Sequence, residues 1–322
     1  MKCIAAINVD LARSPLGTRC RLGDELLGEP VLRRTVRRVL RARRLDSVHV
    51  LVHADQSAQV ARLLDGLAVK LEPHSAAPAP HEALTRAGRL WGLDGWRGGI
   101  GGLCVFDEDF HPALVSALAA RVSADAVATI PAAAAVIDPA MIDAMVDHYE
   151  ESSGAFRMVI VQAPPGLGLA VFGRTLLDEL APAGRPPGVL LTYQPDHPGP
   201  DVTGKQCCYR PPAEVIEARG RLLCDTQRGF ERVADLLRAG GDAWDAARIA
   251  RWLAERDRAR VEPVPEEIEI ELTTEDPLSG GSLLRPRGVE VGSRGPIDLA
   301  VIRAVAAAIE PYDDVRIVLG GF

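Results

Sequence analysis

Long hydrophobic runs are missing from this sequence of 322 residues, and that absence sets the first limits on its class. The stretch AVATIPAAAAVI at 126–137 comes nearest, but Pro131 interrupts it and it falls short of the ~20 apolar residues of a membrane span. The apolar run at the amino terminus extends over about six residues, too few for the hydrophobic core of a signal peptide. We therefore expect a cytoplasmic protein without a membrane partner.

Lysine is nearly absent, because Lys2, Lys70 and Lys205 are the only three in the chain and arginine supplies the remaining positive charge. We attribute this bias, together with the richness in alanine, to coding composition first. The formal net charge is -7. A general nucleic-acid binder normally presents a basic face, so the acidic balance argues against nucleic acid as a partner.

The six cysteines show no disulfide framework and indicate a reducing compartment. Cys3 and Cys104 lie in apolar runs, where cysteine behaves as a small core residue. Adjacent cysteines rarely bond to each other, so we favour a packing role over a redox role for Cys207 and Cys208. The histidines are scattered, and no predicted helix carries two at metal-ligand spacing.

Strand-like and helix-like segments alternate along the first part of the chain. The predicted strands are 3–9, 47–53, 68–72, 103–106, 126–130 and 158–162, and the predicted helices are 29–45, 56–67, 81–91, 112–122, 139–151 and 175–180. This alternation predicts an α/β fold with a mostly parallel, Rossmann-like sheet and helices on both faces. Residues 182–213 are rich in proline and glycine and predict an extended excursion, followed by helices at 228–239 and 242–257.

The segment SPLGTRCRLGDELLGEPVL at 14–32 joins the first predicted strand to the first helix, where open α/β sheets bind phosphates. With Arg34 and Thr35 in the helix, it is similar to the nucleotidyltransferase superfamily with the GT-A fold, the nucleotide-diphospho-sugar transferases. That resemblance implies a nucleotide or nucleotide-sugar partner held by Gly17, Arg19 and Arg21. The family's lysine in this loop is missing, so an inherited fold with a degenerate pocket is the alternative.

A second candidate site is the acidic stretch VFDEDFHP at 105–112, which follows an apolar run. In the GT-A family an aspartate pair at such a strand end holds Mg²⁺ or Mn²⁺. Alternate residues of a strand point the same way, so we predict that Asp107 and Asp109 face one ion, with Glu108 turned away. His111 is a further candidate ligand or substrate contact. The alternative is that these carboxylates only cap the helix beginning at Pro112.

The carboxyl-terminal segment predicts a separate strand–helix–strand unit, with strand 266–272, helix 297–309 and strand 315–319. Its strand Glu267–Leu272 and the ending Gly320-Gly321-Phe322 resemble the start of a radical SAM domain, and the fusion resembles spiro-SPASM-type proteins. That family carries three cluster cysteines in the loop after the first strand, where this chain has Glu275 and Asp276. We expect no [4Fe–4S] cluster from this chain.

The organisation expected from these segments is a GT-A-like domain over 1–225, a helical linker over 226–260 and an incomplete radical SAM-like unit over 261–322. Because the sequence stops directly after a strand, we expect it to be a fragment of a longer protein. Three hypotheses for function follow: metal-dependent nucleotidyl or glycosyl transfer, a radical SAM-type protein whose first domain recognises substrate, and a non-catalytic binding or scaffold module built from degenerate folds. The sequence leaves the substrate and the oligomeric state open.

Overall fold

A computed structural model of the chain describes residues 1–98, 102–152, 154–191, 201–259, 264–272 and 296–320. The chain divides into two compact units, Met1–Ala259 and Arg260–Phe322. The strands of the first unit are β1 (Cys3–Val9), β2 (Glu25–Leu26), β3 (Glu29–Pro30), β4 (Ser47–His53), β5 (Lys70–His74), β6 (Ala126–Thr129), β7 (Met158–Val161), β8 (Ala170–Gly173) and β9 (Cys208–Tyr209). Its helices are α1 (Val31–Val39), α2 (Ser57–Leu63), α3 (Glu82–Arg89), α4 (Pro112–Val122), α5 (Pro139–Glu151), α6 (Arg174–Ala183), α7 (Ala213–Glu217), α8 (Gln227–Arg238) and α9 (Ala246–Arg258).

A seven-stranded sheet forms the centre of the first unit, in the order β5-β4-β1-β6-β8-β7-β9. β1 pairs in parallel with both β4 and β6, and β4 pairs in parallel with β5. β8 runs antiparallel to β6 and β7. β1 reads CIAAINV and is buried apart from a half-buried Asn8, as expected of a strand covered on both faces. The prediction of a mostly parallel α/β sheet is confirmed.

Two helices that face the sheet begin at a proline preceded by a side-chain cap. Proline suits the first helical position, because its missing N–H has no intrahelical partner there. Asp138 accepts a hydrogen bond from Ala140 N at 2.9 Å and caps α5. His111 accepts one from Leu114 N at 3.4 Å and caps α4. His111 therefore caps α4. The alternative, in which the carboxylates at 107–109 cap this helix, is not what the structure shows.

The predicted strand at 103–106 is wrong. Cys104 makes an isolated bridge to Arg97, and Val105–Asp107 forms a 3₁₀ turn. The apolar run is buried in the core of the first unit, but it is not a strand of the sheet. Burial periodicity in a short segment cannot separate these two cases. The sequence did not predict strand β8, which supplies the antiparallel pairing with β6 and β7.

Helices α8 and α9 lie within the first unit, where Val233, Leu236, Ile249 and Leu253 are buried in its core. The finer division at 225 and 260 stays a prediction. In the second unit, β10 (Glu267–Glu271) and β11 (Arg316–Gly320) pair in parallel and α10 (Leu299–Ile309) connects them along the chain, which confirms the predicted strand–helix–strand order.

Several sequence features of the second unit fall outside the described residues. They are the loop at 273–295 with Glu275 and Asp276, and Gly321 with Phe322. Among the helices that the structure describes, none is long and apolar enough to cross a bilayer.

Candidate functional site

A cleft opens at the carboxyl ends of the parallel strands β1, β4 and β5 and encloses about 870 Å³, including the space at its mouth. Asp10 directly follows β1, His53 ends β4 and His74 ends β5, and all three line the cleft. Parallel pairing brings these strand ends to one edge of the sheet. In open α/β sheets, ligands bind at this edge, so topology alone marks the cleft as the candidate site.

The loop after β1 closes into a tight turn at Ser14–Thr18. Gly17 N donates to Ser14 O at 2.9 Å, and Ser14 N donates to Thr18 O at 3.1 Å. Gly17 has φ +78°, and a Cβ built there would lie 2.6 Å from Cδ of Arg86. Glycine is needed at this position both for its backbone conformation and for the close approach of Arg86. Gly17 does not line the cleft.

The two arginines predicted to hold phosphates occupy different environments. Arg19 is exposed, pairs with Asp24 at 2.9 Å and lies outside the cleft lining. Arg21 is buried, lines the cleft and donates to Asp225 O at 3.3 Å. The structure also places Arg13, which the sequence did not single out, in the cleft wall. Nucleotide binding through Gly17, Arg19 and Arg21 stays a prediction.

Asp107 is buried, and each of its carboxylate oxygens accepts a backbone hydrogen bond. Oδ1 accepts from Gly188 N at 2.7 Å and Oδ2 accepts from Cys104 N at 2.7 Å. Burial raises the pKa of Asp107 to about 6, and the hydrogen bonds from Gly188 and Cys104 oppose that shift. The strand on which this expectation was based is a 3₁₀ turn, yet Asp107 and Asp109 both line the cleft. A shared ion at the two carboxylates stays a prediction.

Glu108 points into the interior and is held by two guanidinium groups. Its Oε1 accepts from Arg89 Nε at 2.8 Å and its Oε2 accepts from Arg221 NH2 at 2.5 Å. Burial disfavours the carboxylate, but Arg221 and Arg89 more than offset this and hold its pKa below the ordinary value. Glu108 thus belongs to a buried ion-pair network, and it also borders the cleft. Its predicted orientation away from a bound ion stays a prediction.

Asp109 is half-buried and lines the cleft. Burial raises its pKa well above the ordinary value, and the neighbouring carboxylates of Glu108 and Asp225 raise it further. A cation beside Asp109 would relieve both effects. Carboxylate oxygen is also the donor that Mg²⁺ and Mn²⁺ accept, so the residue fits such an ion.

A complete protein cage for a metal is not found in the described part of the chain, where no group of three or more His, Cys, Asp or Glu side chains has a suitable arrangement. Mg²⁺ commonly binds through one or two carboxylates and takes its remaining oxygens from water and substrate phosphates. An ion held by Asp109 would belong to that open type of site.

Four histidines that the sequence left scattered converge in this cleft: His53, His74, His81 and His111. The rings of His53 and His74 lie 4.5 Å apart, because these residues are paired neighbours in the parallel ladder of β4 and β5. Burial lowers the pKa of both His74 and His81. The available sequence signal was position, since His53 ends the predicted strand 47–53 and His74 follows the predicted strand 68–72 by two residues. A search for helical metal-ligand spacing could not find these histidines.

Asp225 is a second cleft residue that sequence reasoning missed. It is buried, and its Oδ1 accepts from Arg221 Nε at 2.8 Å. Its backbone carbonyl accepts from Thr18 Oγ1 at 2.5 Å, which ties the loop after β1 to residues more than 200 positions away. No local pattern around Asp225 indicates these contacts.

No protein-family model matches the chain, and no curated protein matches it. Among solved structures, a cytidylyltransferase from Leptospira borgpetersenii serovar Hardjo-bovis aligns over 82% of this chain and 98% of its own, with 15% identity and a TM-score of 0.55. A Mycobacterium sp. strain JC1 homologue of Mycobacterium tuberculosis Rv0371c aligns over 74% and 100%, with 12% identity and a TM-score of 0.46. The CMP:2-keto-3-deoxy-manno-octonic acid synthetase complexed with CTP aligns over 56% and 78%, with 10% identity and a TM-score of 0.38. The first of these likenesses shows that the chain has the α/β fold seen in a cytidylyltransferase.

Proposed function

We propose that the cleft binds a nucleotide or nucleotide-sugar and supports nucleotidyl transfer assisted by Mg²⁺ or Mn²⁺. The observation that carries the proposal is the position of Asp109, a carboxylate with a raised pKa in a cleft at the carboxyl ends of three parallel strands. The fold shared with a cytidylyltransferase supports the same chemistry. Transfer of glycosyl groups is the variant of this function that the GT-A resemblance leaves open.

The roles of the cleft residues follow from their charge. Arg13 and Arg21 line the cleft and would attract the phosphates of a nucleotide, which Arg recognises through paired N–H donors. Asp109 would hold the divalent ion, which when bound neutralises charge on the transferring phosphate. In such sites most of the catalysis comes from positioning and charge stabilisation, so the proposal assigns no nucleophile to the protein.

Calorimetry with CTP, GTP and UDP-sugars, each with and without Mg²⁺ or Mn²⁺, tests the proposal. We expect at least one nucleotide to bind, and its affinity to fall when the metal is removed or when Asp109→Asn is introduced. Asp257→Asn is the matched control, because Asp257 is exposed near the end of α9 and does not line the cleft. Absence of binding under every combination would overturn the proposal.

A degenerate, non-catalytic version of the same cleft is the second candidate. The exposed position of Arg19 and the full engagement of Asp107 by backbone amides favour it. It predicts that nucleotides bind without turnover, and that Asp109→Asn leaves their affinity unchanged. Measuring pyrophosphate release alongside binding separates the two candidates.

The radical SAM resemblance of the carboxyl-terminal unit stays a prediction, as does the expected lack of a cluster. The described residues show the parallel pairing of β10 and β11, while the loop in which the family carries its cysteines falls outside them. Anaerobic reconstitution with iron and sulfide tests it. Absorbance near ~400 nm would contradict the expected lack of a [4Fe–4S] cluster.

A further inference from the structure

We propose that Arg221 is the resident cation at the acidic end of the cleft, so that the cleft takes one divalent ion, at Asp109, and not two. The guanidinium bridges Glu108 and Asp225, two carboxylates that line the same cleft as Asp109. Polymerases and nucleases place a second metal ion among such carboxylates. The proposal deepens the proposed function and rests on it for the ion at Asp109.

The geometry of Arg221 is that of a bridge. Its Nε donates to Asp225 Oδ1 at 2.8 Å and its NH2 donates to Glu108 Oε2 at 2.5 Å, while NH2 also contacts Asp225 Oδ2. Its NH1 donates to Glu108 Oε1 at 3.3 Å and to Leu93 O at 3.3 Å. A planar guanidinium can satisfy two carboxylates at once in this way, and it stays charged at any working pH.

The charges of this buried network balance. Arg89 and Arg221 carry two positive charges, and Glu108 and Asp225 carry two negative charges. Burying an unbalanced charge costs several kcal/mol, whereas a fully paired set avoids most of that cost. Glu108 and Asp225 therefore have no charge left to attract a metal ion, whereas none of the described ion pairs engages the neighbouring Asp109.

Contacts other than those with Glu108 and Asp225 also hold Arg221 in place. Its backbone N donates to Asp94 Oδ1 at 2.7 Å, and its side chain is fully buried. Unlike Arg21, Arg221 does not line the cleft, so it is a positioning residue. It holds Glu108, and through the chain Asp109, at the edge of the cleft.

Removing the guanidinium should convert its place into a metal site. Arg221→Met leaves Glu108 and Asp225 with one counter-charge between them, a vacancy that a divalent ion can fill through carboxylate oxygens. Arg221→Lys keeps a positive charge and should retain the wild-type number of ions. In Arg221→Met with Asp225→Asn, the remaining Glu108 is balanced by Arg89, so no extra ion is expected.

The experiment is a titration of the full chain with Mn²⁺ alone, with free Mn²⁺ followed by electron paramagnetic resonance. We expect Arg221→Met to take up one more Mn²⁺ per chain than the wild type, bound roughly tenfold more tightly than any wild-type site. Arg38→Met is the control, because Arg38 is equally buried but donates to the backbone carbonyls of Ile137 and Asp242. The Asp242 carboxylate, 3.8 Å from Arg38, keeps its closer pair with Arg34. Arg38→Met should lose stability without gaining a metal ion.

If Arg221→Met does not fold alone, Mn²⁺ should restore its thermal transition, and the double variant should fold without Mn²⁺. An Arg221→Met protein that neither binds an additional Mn²⁺ nor is restored by it overturns the proposal, as does a second Mn²⁺ in the wild type. No nucleotide enters this titration. Nucleotide binding is measured in a separate experiment. A wild type that fails to bind nucleotides would overturn the proposed function, and the Mn²⁺ count of Arg221→Met would be interpreted independently of it.

Discussion

Asp107 accepts a hydrogen bond from the backbone N–H of Gly188 at 2.7 Å, and this contact joins segments 81 residues apart. The same carboxylate holds the 3₁₀ turn at Val105–Asp107 through Cys104 N. Asp107 thus fixes the path of the backbone that delivers Glu108 to the interior and Asp109 to the cleft. A residue next to the candidate site has a structural role that its sequence neighbours do not share.

Gly188→Ala should destabilise the first unit, because a Cβ at this position would overlap Asp107 Oδ2 and the carbonyl of Gly102. We expect a loss of about 1–3 kcal/mol in the free energy of unfolding, measured by urea titration. Gly204→Ala is the control, because a Cβ there meets no atom within 4 Å. Equal effects of the two substitutions would show that the Asp107–Gly188 contact is not tight.

Glu108→Gln should cost roughly 3–5 kcal/mol of unfolding free energy, because it leaves a buried guanidinium without its counter-charge. The same substitution at Glu179 removes one partner of an exposed pair with Arg157 and should cost at most about 1 kcal/mol. Chemical denaturation of both variants checks the contrast. Similar losses at the two sites would mean that the network around Glu108 is open to water.

His49 should make the unfolding free energy depend on pH. It is fully buried between Ser47 Oγ at 2.8 Å and Glu72 Oε1 at 2.7 Å, and burial lowers its pKa despite the raising effect of Glu72. The unfolded state therefore binds the proton more readily. The contribution of His49 is fully present above its unfolded pKa of about 6.5 and is lost as the pH falls through the lower folded value.

Comparison with His49→Gln isolates this effect. The variant should be less stable than the wild type at pH 8, and the difference should shrink as the pH is lowered towards 5. Urea titrations at several pH values give the two curves. Parallel curves would show that His49 does not change protonation on unfolding in this range.

Arg13→Ala and Arg19→Ala compare an arginine that lines the cleft with one that does not. Both side chains are exposed, and Arg13 pairs with Glu82 at 2.8 Å as Arg19 pairs with Asp24. If the proposed nucleotide site is correct, Arg13→Ala should weaken nucleotide affinity roughly tenfold, because it removes a charge from the cleft wall. Arg19→Ala should change it by less than about twofold, because Arg19 pairs with Asp24 outside the lining. Calorimetry on both variants checks this. A larger effect at Arg19 would contradict it and support the sequence-based prediction that Arg19 contacts phosphate.

Local sequence patterns were sufficient to predict the elements whose structure depends on residues close to one another in the chain. The apolar run of β1, the Asp138–Pro139 start of α5 and the order β10, α10, β11 were predicted from periodicity, capping chemistry and spacing. The same reasoning located an acidic stretch of interest at 107–109. It failed at 103–106, because a buried apolar segment looks alike whether it pairs in a sheet or only packs in the core.

Only the tertiary structure decided which partners Asp107, Glu108 and Asp109 have. Arg221 reaches Glu108 across 113 residues, and Gly188 reaches Asp107 across 81. Parallel pairing brings His53 beside His74, although 20 residues separate them along the chain. Sequence periodicity reports which side of an element is buried, whereas the partner of a buried charge is set by chain topology. The sequence therefore determined the fold class and the acidic stretch, and the tertiary structure determined the different partners of its three carboxylates.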